Sequence, residues 1–287
     1  MSTRVVSSPP SRPSSPSEPR HDRSASSMTP TRSEMRWTRP GSRWRTSLMA
    51  PAGYGSRVEG IHAVSAAVRA GRVKRLTVER NRRSRDEIAV LIAAVGDDSV
   101  TFVDDARSVA ESDAPQGVIA ECAPILPVDL DTLASEDAAV VVLDHLEDPH
   151  NVGAIARTAA AAGVTGLVMS GRRSAPLSAA AFKAAAGGLE SLPVSIVGSI
   201  PEALSRLKSK GVWCVGLDAG GESSLFGLGI LTEPVALVVG AEGDGLSQLT
   251  RKRCDLVASI PMVGESESLN ASVSAALGIF EIMRARI

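Results

Sequence analysis

Ile260-Pro261-Met262-Val263-Gly264-Glu265-Ser266-Glu267-Ser268-Leu269-Asn270-Ala271-Ser272-Val273 joins an apolar strand to a long helix. The strand-like run ends at Ile260 and breaks at Pro261, which has no N–H for a ladder. A polar turn of Gly, Glu and Ser follows. Ser268-Leu269-Asn270-Ala271-Ser272 then opens an Ala-rich helical run to the C-terminus. Strand, polar turn and helix in succession is the repeating unit of α/β folds. Polar side chains at such a junction are well placed for a ligand. Ser268 and Asn270 can hydrogen-bond one, or cap the helix that begins there. Capping accounts for one of them, not both.

The same alternation runs upstream. Apolar runs at 138–143, 166–169, 192–197, 212–217, 235–239 and 256–260 read as strands. Segments 151–162, 178–186, 200–208 and 269–286 read as helices. Continuous apolar strands between helices imply a parallel sheet covered on both faces. This domain is expected over 137–287. Residues 124–136, with two Pro and three acids, read as a linker. A smaller α/β sandwich is expected over 54–123, with helices at 58–70, 86–95 and 105–111 and strands at 75–79, 99–103 and 117–122. Residues 1–53 are rich in Ser, Pro and Arg, without apolar periodicity. They read as a disordered tail, with an organelle transit peptide as the rival.

The formal net charge of −1 over 287 residues hides an asymmetry. Residues 1–50 carry nine Arg, no Lys and three acids, so the remainder is acidic. A body of that charge does not advertise nucleic acid as a whole, and any RNA contact must come from a local patch. One dense patch exists: Arg72, Lys74, Arg75, Arg80, Arg82, Arg83 and Arg85, with Glu79 the one acid among them. It is either a solvated face or a phosphate-contacting surface. Cys122, Cys214 and Cys254 are far apart and form no CxxC, which argues against disulfides or zinc and for a reducing, cytoplasmic setting. His145 and His150 lack further ligands at metal spacing. No apolar run reaches the roughly 18 residues of a membrane span.

Four loops follow the carboxyl ends of the expected strands, where open α/β sheets place ligands. The first, Asp148-Pro149-His150-Asn151-Val152-Gly153, leads into a helix carrying Arg157 among alanines. Asn151 suits an N-cap. Arg157 reads equally as an interface or phosphate contact and as an ordinary solvated residue. The second loop is Gly216-Leu217-Asp218-Ala219-Gly220-Gly221, and the third Gly240-Ala241-Glu242-Gly243-Asp244-Gly245-Leu246. The third is neither a dinucleotide fingerprint nor a P-loop. Its glycines allow close backbone approach, and Glu242 can cap backbone N–H groups or hold a polar ligand. The fourth loop is the opening stretch.

Together these loops resemble the three motifs of the SpoU (TrmH) family of RNA ribose 2′-O-methyltransferases, within the SPOUT superfamily. The first motif is Asp148 through Arg157, the second Val239 through Leu246, the third Ile260-Pro261-Met262 through Ser268-Leu269-Asn270-Ala271-Ser272-Val273. Gly60-Ile61-His62-Ala63-Val64, Lys183 with Gly187-Gly188-Leu189-Glu190-Ser191-Leu192-Pro193, and Leu249-Thr250-Arg251 with Cys254-Asp255 extend the resemblance over roughly 54–287. They bring it nearest the family's 23S rRNA guanosine enzymes. Glu265 and Glu267 add charge to a loop that is more neutral in such enzymes.

The resemblance implies a C-terminal domain with a deep trefoil knot, preceded by a small RNA-binding domain. It implies S-adenosylmethionine bound at Gly216, Gly240, Glu242, Ile260, Met262 and Leu269, and a homodimer with the site near its interface. Arg157 is the residue it points to for activating the ribose hydroxyl, with Asn151, Glu242, Ser268 and Asn270 around it. A sulfonium is already electrophilic, so no metal is required. The alternatives are a tRNA ribose methyltransferase, a resistance-type rRNA methyltransferase, and a non-catalytic RNA-binding ribosome-assembly factor.

Overall fold

Period-two alternation decides which way each residue of the central sheet faces. The computed structural model describes residues 54–172, 174–264 and 268–287. The tail expected over 1–53 therefore lies outside the described residues. Glu265 and Glu267 lie outside them as well.

The small domain comes first: β1 (Arg57–Glu59), α1 (Ile61–Arg69), β2 (Val73–Glu79), α2 (Asp86–Val95), β3 (Val100–Val103) and β4 (Val118–Cys122). Its strands lie in the order β1-β4-β2-β3. β4 is antiparallel to both β1 and β2, and β2 is parallel to β3. Val58, Leu76, Val78, Val118 and Ala120 form a core with Val64 and Ala67 of α1 and Ile88 and Leu91 of α2. Two expected helices are corrected. The stretch 58–70 begins as a strand, because Gly60 adopts φ +89° and breaks the chain between Glu59 and Ile61. The stretch 105–111 holds only a 3-10 turn at Ala106–Ser108, too short to nucleate an α-helix.

The larger domain follows: β5 (Ala139–Leu143), α3 (Pro149–Ala161), β6 (Gly166–Ser170), α4 (Ala179–Ala185), α5 (Gly188–Ser191), β7 (Val194–Val197), α6 (Ile200–Ser209), β8 (Trp213–Leu217), β9 (Ser223–Ser224), β10 (Val235–Val239), α7 (Gln248–Arg253), β11 (Leu256–Ser259) and α8 (Ala271–Arg286). Seven strands form a wholly parallel sheet in the order β7-β6-β5-β10-β8-β11-β9. Val141, Leu143, Leu237 and Val239 face α3, α4 and α8. Val140, Val142, Ala236 and Val238 face the other way, onto Leu204 and Leu207 of α6. The expected parallel sheet with both faces covered is present.

The segment 124–136 is no free linker. Leu130 and Leu133 sit buried in the second core, and Val128 donates its N–H to Val194 at 2.9 Å. Val128, Leu130 and Leu133 bind this segment to the sheet although its Pro and Asp content reads as a tether.

Candidate active site

Each of the three motif loops leaves the carboxyl end of a parallel strand, and their side chains meet. α3 starts at Pro149, earlier than expected, with Asp148 as its N-cap: the Asp148 carboxylate accepts from His150 N–H at 2.9 Å. Asn151 is thereby relieved of the capping role and lies buried inside the first turn. Its Nδ2 donates to Glu242 Oε1 at 2.7 Å. Asn270 Nδ2 donates to Asn151 Oδ1 at 3.1 Å and to the same Glu242 oxygen. Asn270 also caps α8, its Oδ1 accepting from Ser272 N–H at 2.9 Å. The capping reading of Asn270 is realised through its carbonyl oxygen, while its amide nitrogen is turned to Asn151 and Glu242.

Beside this triad opens a cavity of about 260 Å³. Gly240, Glu242, Ile260, Met262, Ser268 and Leu269 line it, with Leu217 and Asp218. Gly216 does not. It sits inside β8, where a Cβ would lie 2.6 Å from Leu246, so its smallness serves the packing of the loop beneath the sheet end. Asp218, Glu242 and Asp244 are the carboxylates of this cavity, and Asp218 is the one held by an arginine. Burial pushes its pKa up, but the Arg251 guanidinium at 2.6 Å and the Gly220 N–H at 2.9 Å outweigh this and hold it below the usual range. It stays charged at neutral pH.

On the far side of Glu242 lies a second cavity of about 520 Å³, lined by His145, Asp148, Asn151 and Glu242. By spacing alone His145 is a histidine without further metal ligands. Its adjacency to Asp144 was the available signal: the ring Nδ1 lies 2.8 Å from Asp144 Oδ1.

Arg157 is not brought to the triad within one copy of the chain. Six residues along a helix amount to about 9 Å of rise and roughly 240° of net rotation. Arg157 accordingly emerges on a different face of α3, exposed, beside Arg69, Gly187 and Glu190 in a depression lined by α1, α3 and α5. It makes no hydrogen bond or ion pair among the described residues.

Residues 138–280 match the sequence profile of the SpoU rRNA Methylase family, and residues 57–127 that of the RNA 2′-O ribose methyltransferase substrate-binding domain. The 23S rRNA (guanosine-2′-O-)-methyltransferase RlmB of Photobacterium profundum is 36% identical over 237 residues, 79% of this chain and 96% of that protein. The chain belongs to the SpoU rRNA methylase family. The uncharacterized tRNA/rRNA methyltransferase slr0955 of Synechocystis is 44% identical over 177 residues, 60% of this chain and 46% of that longer protein. Among solved structures, the SpoU methyltransferase AviRb of Streptomyces viridochromogenes in complex with AdoMet superposes with a TM-score of 0.69. It is 30% identical, over 80% of this chain and 89% of that one.

The substrate-binding domain of this SpoU methyltransferase carries the basic cluster. Lys74, Arg75 and Arg85 are exposed and unpaired among the described residues. Arg80 lies 3.2 Å from Asp104, and Arg83 stacks 5.0 Å from the Phe102 ring centroid. Arg82 is partly engaged, 3.6 Å from Glu79 and 3.2 Å from the Gln116 carbonyl. Arg72 stands apart from the rest of the cluster as an internal strut. Its side chain is only 13% exposed, and it pairs with Glu190 and bonds Gly55 O at 2.9 Å. It also lies over Phe182 of α4. Burial pushes the Cys254 thiol up to about 12 and the Cys122 thiol up to about 11, so neither is a ready nucleophile. No helix among the described residues is long and apolar enough to cross a membrane.

Proposed function

We propose that this SpoU enzyme transfers a methyl group from S-adenosylmethionine to the ribose 2′-hydroxyl of a guanosine in 23S rRNA, working as a cytoplasmic homodimer. The observation that carries the reading is the Asn151–Glu242–Asn270 triad, closed across three loops beside a cavity at the carboxyl edge of the sheet. The choice of guanosine in 23S rRNA is supported by the match to RlmB over nearly that protein's full length.

The cavity suits the donor. Leu217, Ile260 and Leu269 offer apolar surface to an adenine ring, and the glycine-rich loop 240–245 offers backbone at close range. Asp218 and Ser268 offer polar atoms to a ribose or an amino acid moiety. When bound, S-adenosylmethionine supplies an electrophilic methyl on a sulfonium. The protein's task is then to orient the hydroxyl and stabilise negative charge on its oxygen. Arg157, a guanidinium, is suited to the second part as a cation rather than a base. The triad would hold the hydroxyl in line. Lys74, Arg75, Arg80, Arg82, Arg83 and Arg85 would grip phosphates of the RNA.

A homodimer reconciles Arg157 with the triad. Val273, Leu277 and Phe280 form an exposed apolar stripe on α8, which packs against α3. A stripe of this kind next to an unpaired Arg suits a two-fold interface that delivers Arg157 to the partner's cavity. The reading includes a deep trefoil knot. In its favour, the late strand β10 inserts at the sheet's centre, and α8 returns to pack on α3 and β10. It also includes a division into a substrate-binding domain over 54–123 and a methyltransferase domain over 137–287.

The Arg157→Ala variant tests the assignment. It is expected to bind S-adenosylmethionine normally by calorimetry while transfer falls by about 10²–10³, the usual scale for removing one charge-stabilising group. Near-normal turnover would refute it.

A further inference from the structure

We propose that His145, held by the buried carboxylate of Asp144, is the group that accepts the proton of the ribose 2′-hydroxyl. The proposal rests on the function proposed above and fills its one chemical gap: a guanidinium offers donors and charge but no acceptor for a proton. His145 stands in the left-handed region at φ +57°, which non-glycine residues rarely occupy, so the loop after β5 turns this side chain in an enforced direction. That direction is the 520 Å³ cavity shared with Asn151 and Glu242. The Asp144 side chain beneath it is fully buried. One Asp144 oxygen accepts from Ser247 N–H at 2.8 Å, and the other lies 2.8 Å from His145 Nδ1. An ionised carboxylate only accepts, so the proposal places the ring proton on Nδ1. Neutral His145 therefore keeps Nε2 as a free acceptor.

The other groups at the cavity are less suited. Glu147, Asp148, Glu242 and Asp244 are its remaining titratable residues, all carboxylates, with no cation among them. Glu242 is already committed to the amides of Asn151 and Asn270. Asp148 caps α3. In the step, the 2′-O–H bond breaks and the proton passes to His145 Nε2. The oxygen forms its bond to the methyl carbon. The carbon–sulfur bond breaks with its electron pair remaining on sulfur. Asp144 balances the imidazolium until the proton leaves to water, and Arg157 stabilises the oxygen.

His145→Asn tests this, because Asn tolerates the left-handed backbone better than other non-glycine residues. His145→Gly serves as a second variant that fits the same φ without strain. Single-turnover rates on a 23S rRNA fragment are measured against pH, with S-adenosylmethionine and RNA affinities alongside. The wild-type single-turnover rate is expected to fall on the acid side, as it must when the reaction needs a free proton acceptor. Both variants should lose that limb and about 10²–10⁴ in rate, with both affinities within about twofold of wild type. Nitrogen-15 NMR of the labelled wild type gives a readout independent of turnover. The chain has four His, the His145→Asn variant assigns the resonance, and the Nδ1–H tautomer is expected. A retained acid limb in both variants, or an Nε2–H tautomer, would overturn the assignment of His145 alone. Failure of the wild type to bind S-adenosylmethionine would overturn the underlying function with it.

Discussion

Asn270 turns its carbonyl oxygen to the N–H of Ser272 and its amide nitrogen to Asn151 and Glu242, so fold and site share one side chain. Asn270→Ala should therefore cost twice. Loss of the cap removes about 1 kcal/mol of stability, seen as a lower urea midpoint with unchanged slope. Loss of the triad should lower methyl transfer about 100-fold, a stronger effect than the stability change explains. Unchanged transfer in a folded variant would remove the triad from the reaction. The sequence left capping and ligand binding as alternatives at this residue because it shows chain order, not what lies across a cleft. The same limit hid the partner of Arg72. Glu190 stands 118 positions away, and a run of seven basic residues gave no sign that one of them turns inward. His145 was not legible for a related reason: its partner is adjacent in sequence, but only backbone geometry shows where the ring points.

At the level of elements, α3 and α4 approach so closely that a Cβ on Gly153 would lie 2.3 Å from the Ala181 carbonyl oxygen. Gly153 does not need a left-handed backbone; it needs the absence of a side chain. Gly153→Ala is expected to destabilise the fold by about 1–3 kcal/mol through overpacking, measured by urea unfolding. A variant as stable as wild type would mean that the two helices slide apart freely. The long strands and helices of the larger domain were legible, because continuous apolar runs and Ala-rich helical periods are strong local signals. Short elements were not. α7, at Gln248–Arg253, is mostly polar and too brief to show a period. β1 read as helix because the three residues before Gly60 carry no alternation long enough to tell.

The order of strands could not be read from the sequence, since it depends on which distant segments pair. β10 enters the sheet between β5 and β8, and that insertion brings Glu242 to Asn151 across 91 residues. The same topology leaves Arg157 outside the triad, which yields a prediction for the assembly. Arg157→Ala and Asn270→Ala, each inactive alone, should complement when mixed under subunit exchange. Half of the dimers are then mixed and hold one intact site in two, so roughly a quarter of wild-type activity is expected. No recovery would place Arg157 in its own subunit's site, or outside the reaction. The central claim is tested most directly by the product. Purified protein is incubated with unmodified 23S rRNA and methyl-labelled S-adenosylmethionine, and the RNA is digested to nucleosides. The label is expected in 2′-O-methylguanosine. Label on a base, or no transfer to RNA at all, would contradict the account.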